Sequence, residues 1–131
     1  MIYGLGCDIM NIERITKSPE FLERFKLKIL SDKEIKEIDG SKITYKELAC
    51  ALAKAYAGKE AFVKAMGTGF RDGIYLKDIQ ILHDIYGKPF YEIKGYALEK
   101  LNGIMKNYRT FVSLSDDYPY AQAVAIIEIA D

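Results

Sequence analysis

The stretch 44–66 is the longest helical signal in the chain, and Gly67 and Gly69 end it. A helix of that length draws its stability from what it packs against, so the fold must provide a covering layer. At about 100° per residue, Leu48, Leu52, Ala55, Phe62 and Met66 share one stripe, with Tyr56 and Val63 at its edge. Lys59 falls in the middle of that stripe. A lysine there is costly unless it is paired, snorkels outward or lines a water-filled pocket. Glu60 lies at the border of the stripe and Lys64 one turn beyond, a spacing that commonly gives a surface ion pair.

The covering layer is legible on both sides of this helix. Residues 2–9 alternate bulky and small side chains, and Gly4 and Gly6 mark a strand that approaches another backbone closely, with Asp8 near its end. Ser18-Pro19-Glu20 starts a helix whose apolar face is Phe21, Leu22, Phe25 and Ile29. Ser31 with Glu34 is a capping box for a short helix that Gly40 ends. After Arg71, Asp72 and Gly73 the period changes. Ile79 and Ile81, the turn Gly87-Lys88-Pro89, then Phe90 and Ile93 form a strand, turn and strand. Residues 96–105 are amphipathic through Leu98, Leu101 and Met105, and 110–115 with 120–129 form a closing hairpin. The expected fold is a single α+β domain spanning 1–131, with an antiparallel sheet packed against the long helix.

Composition limits the function classes. The 131 residues are 50% apolar and 29% charged, enough for a packed core and too apolar for disorder. No apolar run is long enough to span a membrane and the amino end carries charges where a secretory signal would be apolar, so a cytoplasmic location is expected. Cys7 and Cys50 read as small core residues. The formal charge of zero hides an asymmetry: five basic and two acidic residues between 14 and 28, against four acidic and no basic residues from 113 to 131. A local basic face of this kind suits an acidic protein partner better than long nucleic acid.

Phosphate-loop, dinucleotide and nucleophile-elbow motifs are absent, and one His with two Cys cannot form a zinc site. His83 reads as a strand-end or surface residue. Oxygen chemistry remains: Asp8 and Glu60, from different elements, could meet as a hard-cation site completed by substrate phosphates, with lysines to hold those phosphates. An ordinary strand-end Asp8 and a Glu60–Lys64 surface pair are the alternative.

Four segments carry a resemblance. Gly4-Leu5-Gly6-Cys7-Asp8-Ile9 with Glu13-Arg14-Ile15, the block from Ala57-Gly58-Lys59-Glu60-Ala61-Phe62 to Gly67-Thr68-Gly69, Gly87-Lys88-Pro89, and Val112-Ser113-Leu114-Ser115 together resemble holo-[acyl-carrier-protein] synthases of the 4′-phosphopantetheinyl transferase superfamily. The resemblance implies transfer of phosphopantetheine from coenzyme A to a serine of apo acyl carrier protein, releasing adenosine 3′,5′-bisphosphate. It implies Mg²⁺ held by Asp8 and Glu60, Lys64 on a pyrophosphate oxygen, and coenzyme contacts from Lys59, Lys46, Gly67 and Ser115. The serine proton could pass to Glu60 through water, to Asp8 or to solvent. Arg14 and Arg24, joined by Lys28, would grip the acidic carrier protein, and a homotrimer would share each active site between subunits. Two positions depart from the family pattern: Asp116 stands where a His is usual and Ala55 where an Arg is usual, with Lys54 adjacent. Both remove positive charge from the nucleotide end. A non-catalytic relative that binds carrier protein or coenzyme A is the alternative function.

Overall fold

A computed structural model of the chain describes residues 1–68 and 73–130; Gly69 of the GTG block, and Arg71 and Asp72 at the period change, lie outside the described residues. The elements in order are β1 (Ile2–Asn11), a 3₁₀ turn (Ile12–Ile15), α1 (Pro19–Ile29), α2 (Asp32–Asp39), α3 (Tyr45–Met66), a 3₁₀ turn (Leu76–Asp78), β2 (Ile79–His83), β3 (Pro89–Ile93), α4 (Gly95–Ile104), β4 (Tyr108–Asp117) and β5 (Tyr120–Ile129). All strand pairs are antiparallel, as expected, but they divide into a three-stranded sheet ordered β1-β5-β4 and a separate β2-β3 ribbon. No described helix is long and apolar enough to cross a membrane.

The helix ends follow from their capping residues. Ser18 accepts from the Phe21 amide at 3.0 Å, Ser31 and Glu34 complete a capping box on α2, and Thr44 and Glu47 do the same on α3. Gly67 ends α3 in the left-handed region, at φ 80°.

How α3 packs decides where the site falls. The expected stripe is half of the answer: Leu52, Phe62 and Met66 are buried, whereas Leu48 and Ala55 are only half-buried. The other half is a row of small residues four apart, Ala49, Ala53, Ala57, Ala61 and Ala65, all buried. Against this row lies β1. A Cβ on Gly4 would overlap the Ala65 carbonyl oxygen, and one on Gly6 the Ala61 carbonyl oxygen, so the strand touches helix backbone directly. Two apolar clusters result. One joins the carboxyl half of α3 to β2, β3, α4 and β5; the other joins its amino half to α1 and the first 3₁₀ turn. Fully burying side chains such as Phe62 and Leu52 contributes roughly 1.5–3 kcal/mol each.

Strand alternation corrects one expectation. Gly6 and Met10 are buried toward α3, which puts Leu5, Cys7 and Ile9 on the opposite, exposed face. Cys7 is therefore exposed and not a core residue, with the Gln122 side-chain amide 3.6 Å from its sulfur. Cys50 is half-buried, and both thiols are free.

Candidate active site

The contact between β1 and α3 runs Gly4 on Ala65, then Gly6 on Ala61, so each two residues of strand step back one helical turn. Asp8 continues this series and arrives beside the turn that carries Glu60. There Lys64 Nζ donates to Asp8 Oδ1 at 2.9 Å and to the Cys7 carbonyl at 2.9 Å. Lys64 thus bridges from α3 to β1 and does not form a simple pair with Glu60, although the Glu60 charge acts on it. The hydrogen bond to Asp8 holds its ammonium above the ordinary lysine range, so it is a cation at neutral pH.

Tyr56, one turn before Glu60, belongs to the same group. Burial, then a hydrogen bond to Glu60 and the charges of Glu60 and Asp8, push its hydroxyl up to about 12, with Arg14 opposing. Tyr56 was legible only as the edge of an apolar stripe; the signal that could have revealed it is its i,i+4 spacing to Glu60. Asp8, Glu60, Lys64, Tyr56 and Arg14 therefore form one charged neighbourhood where β1, the turn after it and α3 meet. Among the described residues no three carboxylate, His or Cys side chains gather in a metal-binding group. Two carboxylates could still hold a hard cation if a ligand's phosphate oxygens and water complete its shell, which is how Mg²⁺ is usually bound.

Lys59 is a correction. It is fully buried, and its ammonium donates to Glu34 Oε1 at 2.7 Å, Ile79 O at 2.7 Å and Leu76 O at 2.9 Å. All three protons are used inside the core, so Lys59 cannot contact a coenzyme. Of the three escapes open to a lysine in an apolar stripe, the fold uses pairing. Burial pushes its pKa down and Glu34 works against that shift.

The basic residues near the amino end separate by role. Arg14 and Lys28 line a cleft of about 370 Å³ with Tyr56, Phe21 and Phe25, and Lys28 also borders a second cleft, of about 600 Å³, that contains Glu60. Arg24 and Lys17 stack over the Phe21 ring, 5.9 and 5.1 Å from its centroid. Lys26, by contrast, turns inward to Asp39 at 2.7 Å.

A larger cavity of about 890 Å³ lies at the other end of α3. Lys46, Lys54, Leu114 and Asp116 line it, and Gly67 and Ser115 do not line any of these three clefts. Ser115 alternates away from Leu114 and Asp116 on β4. Both cavity lysines are engaged by the β4–β5 hairpin: Lys54 pairs with Asp116 at 2.9 Å, and Lys46 sits 4.8 Å over the Tyr118 ring. His83 borders the same cavity and contacts Glu37 at 3.1 Å, a strand-end residue as expected.

Residues 4–123 match the family model described as ACPS, 4′-phosphopantetheinyl transferase superfamily. With a match over nearly the whole chain, the protein belongs to this superfamily and, on its full-length relatives, to the holo-[acyl-carrier-protein] synthases within it. A holo-[acyl-carrier-protein] synthase of Wolbachia pipientis is 45% identical over 128 residues, covering 97% of this chain and 98% of the relative. That of Clostridium tetani is 40% identical, with 98% of this chain and 97% of the relative covered. Among solved structures, an acyl carrier protein synthase of Plasmodium yoelii with ADP bound superposes at a TM-score of 0.85 with 34% identity, covering 100% of this chain and 98% of that one. A Bacillus anthracis holo-(acyl-carrier-protein) synthase in complex with coenzyme A (3′,5′-ADP) superposes at 0.79 with 28% identity and covers 99% of both chains.

Proposed function

We propose that the chain transfers the 4′-phosphopantetheine group of coenzyme A to a serine of apo acyl carrier protein, with Mg²⁺ at Asp8 and Glu60, and works in the cytoplasm. The observation that carries this reading is the bridge from Lys64 to Asp8, one helical turn from Glu60. It gathers two carboxylates and a cation on one surface, which is what a diphosphate with its divalent ion requires. The ion supplies charge neutralisation at phosphorus. In the transfer, the serine oxygen bonds to the phosphorus that carries pantetheine, and the bond from that phosphorus to the bridging oxygen breaks. Adenosine 3′,5′-bisphosphate leaves with the electron pair. Lys64 meets the growing negative charge on the leaving oxygens. The serine proton passes to Glu60 through water, to Asp8 or to solvent. Mixing the protein with coenzyme A, Mg²⁺ and apo carrier protein tests this: the carrier protein should gain the mass of phosphopantetheine on its serine. Binding of both ligands without that gain would leave a non-catalytic binding protein.

The open sheet face and the length of α3 support a homotrimer with shared sites. Leu5, Ile9, Phe111 and Tyr120 are 64, 61, 48 and 50% exposed on the three-stranded sheet, an apolar face that a second copy would cover. Lys46 and Lys64 lie eighteen positions apart on α3, about 27 Å at a rise of ~1.5 Å per residue. The 3′-phosphate and the diphosphate of coenzyme A sit on one ribose, so they cannot reach both ends of the helix in one chain. On this reading the cavity of one subunit holds the nucleotide end while Asp8, Glu60 and Lys64 of its neighbour hold the diphosphate.

The cavity chemistry then makes a specific forecast. Asp116 neutralises Lys54 and adds a carboxylate near the 3′-phosphate. Asp116→Ala should raise kcat/KM for coenzyme A relative to 3′-dephospho-coenzyme A by roughly tenfold, as expected for removing a like charge beside a bound anion. An unchanged ratio would put the phosphate elsewhere.

Arg14, Arg24 and Lys28 form the face for the acidic carrier protein. Arg14→Glu or Arg24→Glu should weaken carrier-protein binding by roughly tenfold in calorimetry, and Arg24→Glu, whose side chain stacks on Phe21 outside the Asp8–Glu60 group, should spare coenzyme A. Equal weakening of both ligands by Arg24→Glu would make that residue structural.

A further inference from the structure

We infer that Lys59 is a positioning residue for Glu60, an inference that rests on the proposed role of Glu60 above. Lys59 is among the largest fully buried side chains of the described residues, and its three donors go to three different anchors. Glu34 lies in the first turn of α2, Leu76 begins the second 3₁₀ turn, and Ile79 begins β2. The Glu34 carboxylate extends the network: Oε1 also accepts from the Ser31 amide at 3.0 Å, and Oε2 from the Ile81 amide at 3.2 Å. Ser31 Oγ in turn donates to Gln80 Oε1 at 2.8 Å. One ammonium therefore ties α3 to α2, the 3₁₀ turn and β2.

Its position in the chain gives this network a consequence for the site. Glu60 is the next residue, half-buried, and shares the 600 Å³ cleft with Leu76, Lys77, Asp78 and Lys94. Lys59 thus binds the helix that carries Glu60 and, through the Leu76 and Ile79 carbonyls, the segment that forms the opposite wall of that cleft. A second tether acts one residue earlier: the Tyr91 hydroxyl donates to the Gly58 carbonyl at 2.6 Å, and the Tyr91 ring stands edge-on to Phe62 at 4.8 Å. A Cβ on Gly58 would overlap Ile81 Cδ1, so the helix has no room to slide along β2. Buried ion pairs can often be replaced by apolar side chains without loss of stability. An apolar side chain here would fill the space but could hold neither carbonyl, and Glu60 would lose its fixed distance to the facing wall.

The test uses Lys59→Met with Glu34→Gln, which removes the pair without leaving a lone buried charge, and Mn²⁺ in the presence of saturating coenzyme A as the probe. In the folded double variant, Mn²⁺ binding measured by calorimetry should weaken by roughly tenfold and kcat should fall by a similar factor, the range expected when groups supporting a metal ligand are lost. KM for carrier protein should not change. A merely structural role would lower Tm and the folded fraction and leave the Mn²⁺ dissociation constant untouched; that result overturns the inference. Should the double variant not fold, Lys59→Met alone removes the same two carbonyl tethers while Glu34 keeps its bonds from the Ser31 and Ile81 amides: weaker Mn²⁺ binding supports the inference and unchanged binding overturns it. Glu60→Gln separates the two levels. If Glu60→Gln keeps full Mn²⁺ affinity and turnover, the proposed site is wrong; if it loses both while the double variant keeps both, only the positioning role fails.

Discussion

Glu60→Gln is expected to lower the rate of carrier-protein modification by at least about 100-fold, the scale seen when one preorganised electrostatic group is removed from an active site. The substitution keeps the shape of the side chain and an oxygen that Tyr56 can still reach, and it removes only the charge. Tm should stay near that of the parent protein, because Glu60 is half-buried and belongs to neither apolar cluster. Asp8→Asn should act similarly, with an added effect: Lys64 would lose its charged partner and keep only neutral acceptors, the amide oxygen of the new side chain and the Cys7 carbonyl. Mass spectrometry of the carrier protein over time, with circular dichroism on each variant, gives both numbers. Full activity in Glu60→Gln would reject the metal assignment.

Gly6→Val is the second large effect, and it falls on stability. The new Cβ would lie inside the van der Waals radius of the Ala61 carbonyl oxygen, and neither strand nor helix can retreat. Ala61 and Ala65 are buried, and β1 is paired along its length with β5. We expect a loss of more than about 4 kcal/mol in urea unfolding, in the range reserved for disrupted cores. Gly103 is the control. It lies in α4 with open space around its Cβ direction and no positive φ, so Gly103→Ala should be neutral or stabilise by up to about 1 kcal/mol. A small change for Gly6→Val would mean that β1 does not contact α3 as closely as described.

What could be read from the chain and what could not divides by the range of the interaction. Caps and turns depend on neighbours a few residues away, so Ser18, the Ser31–Glu34 box and the end of α3 at Gly67 were legible, as was the close approach at Gly4 and Gly6. The buried alanine row on α3 is not legible in the sequence because alanine carries little hydrophobic signal; its meaning depends on two glycines in a distant strand. The fate of Lys59 was open for a related reason. Local spacing leaves pairing, snorkelling and a water-filled pocket all open, and the residue that decides among them, Glu34, is contributed by another helix. Lys54 and Asp116 likewise meet only because the β4–β5 hairpin reaches the amino half of α3. The neighbours of Cys7 suggest a core residue, but alternation along β1 decides which face it takes and leaves it exposed.

The unbroken course of α3 has an evolutionary consequence. Lys54 faces the hairpin, Lys59 the interior, and Glu60 and Lys64 the cleft and β1, all from a single rigid rod. Adding or deleting one residue anywhere between them would turn everything downstream by about 100° and redirect those groups together. Length variation is thus tolerable in the connections around this helix but not within it, and descendants of such a chain must change its chemistry by substitution alone.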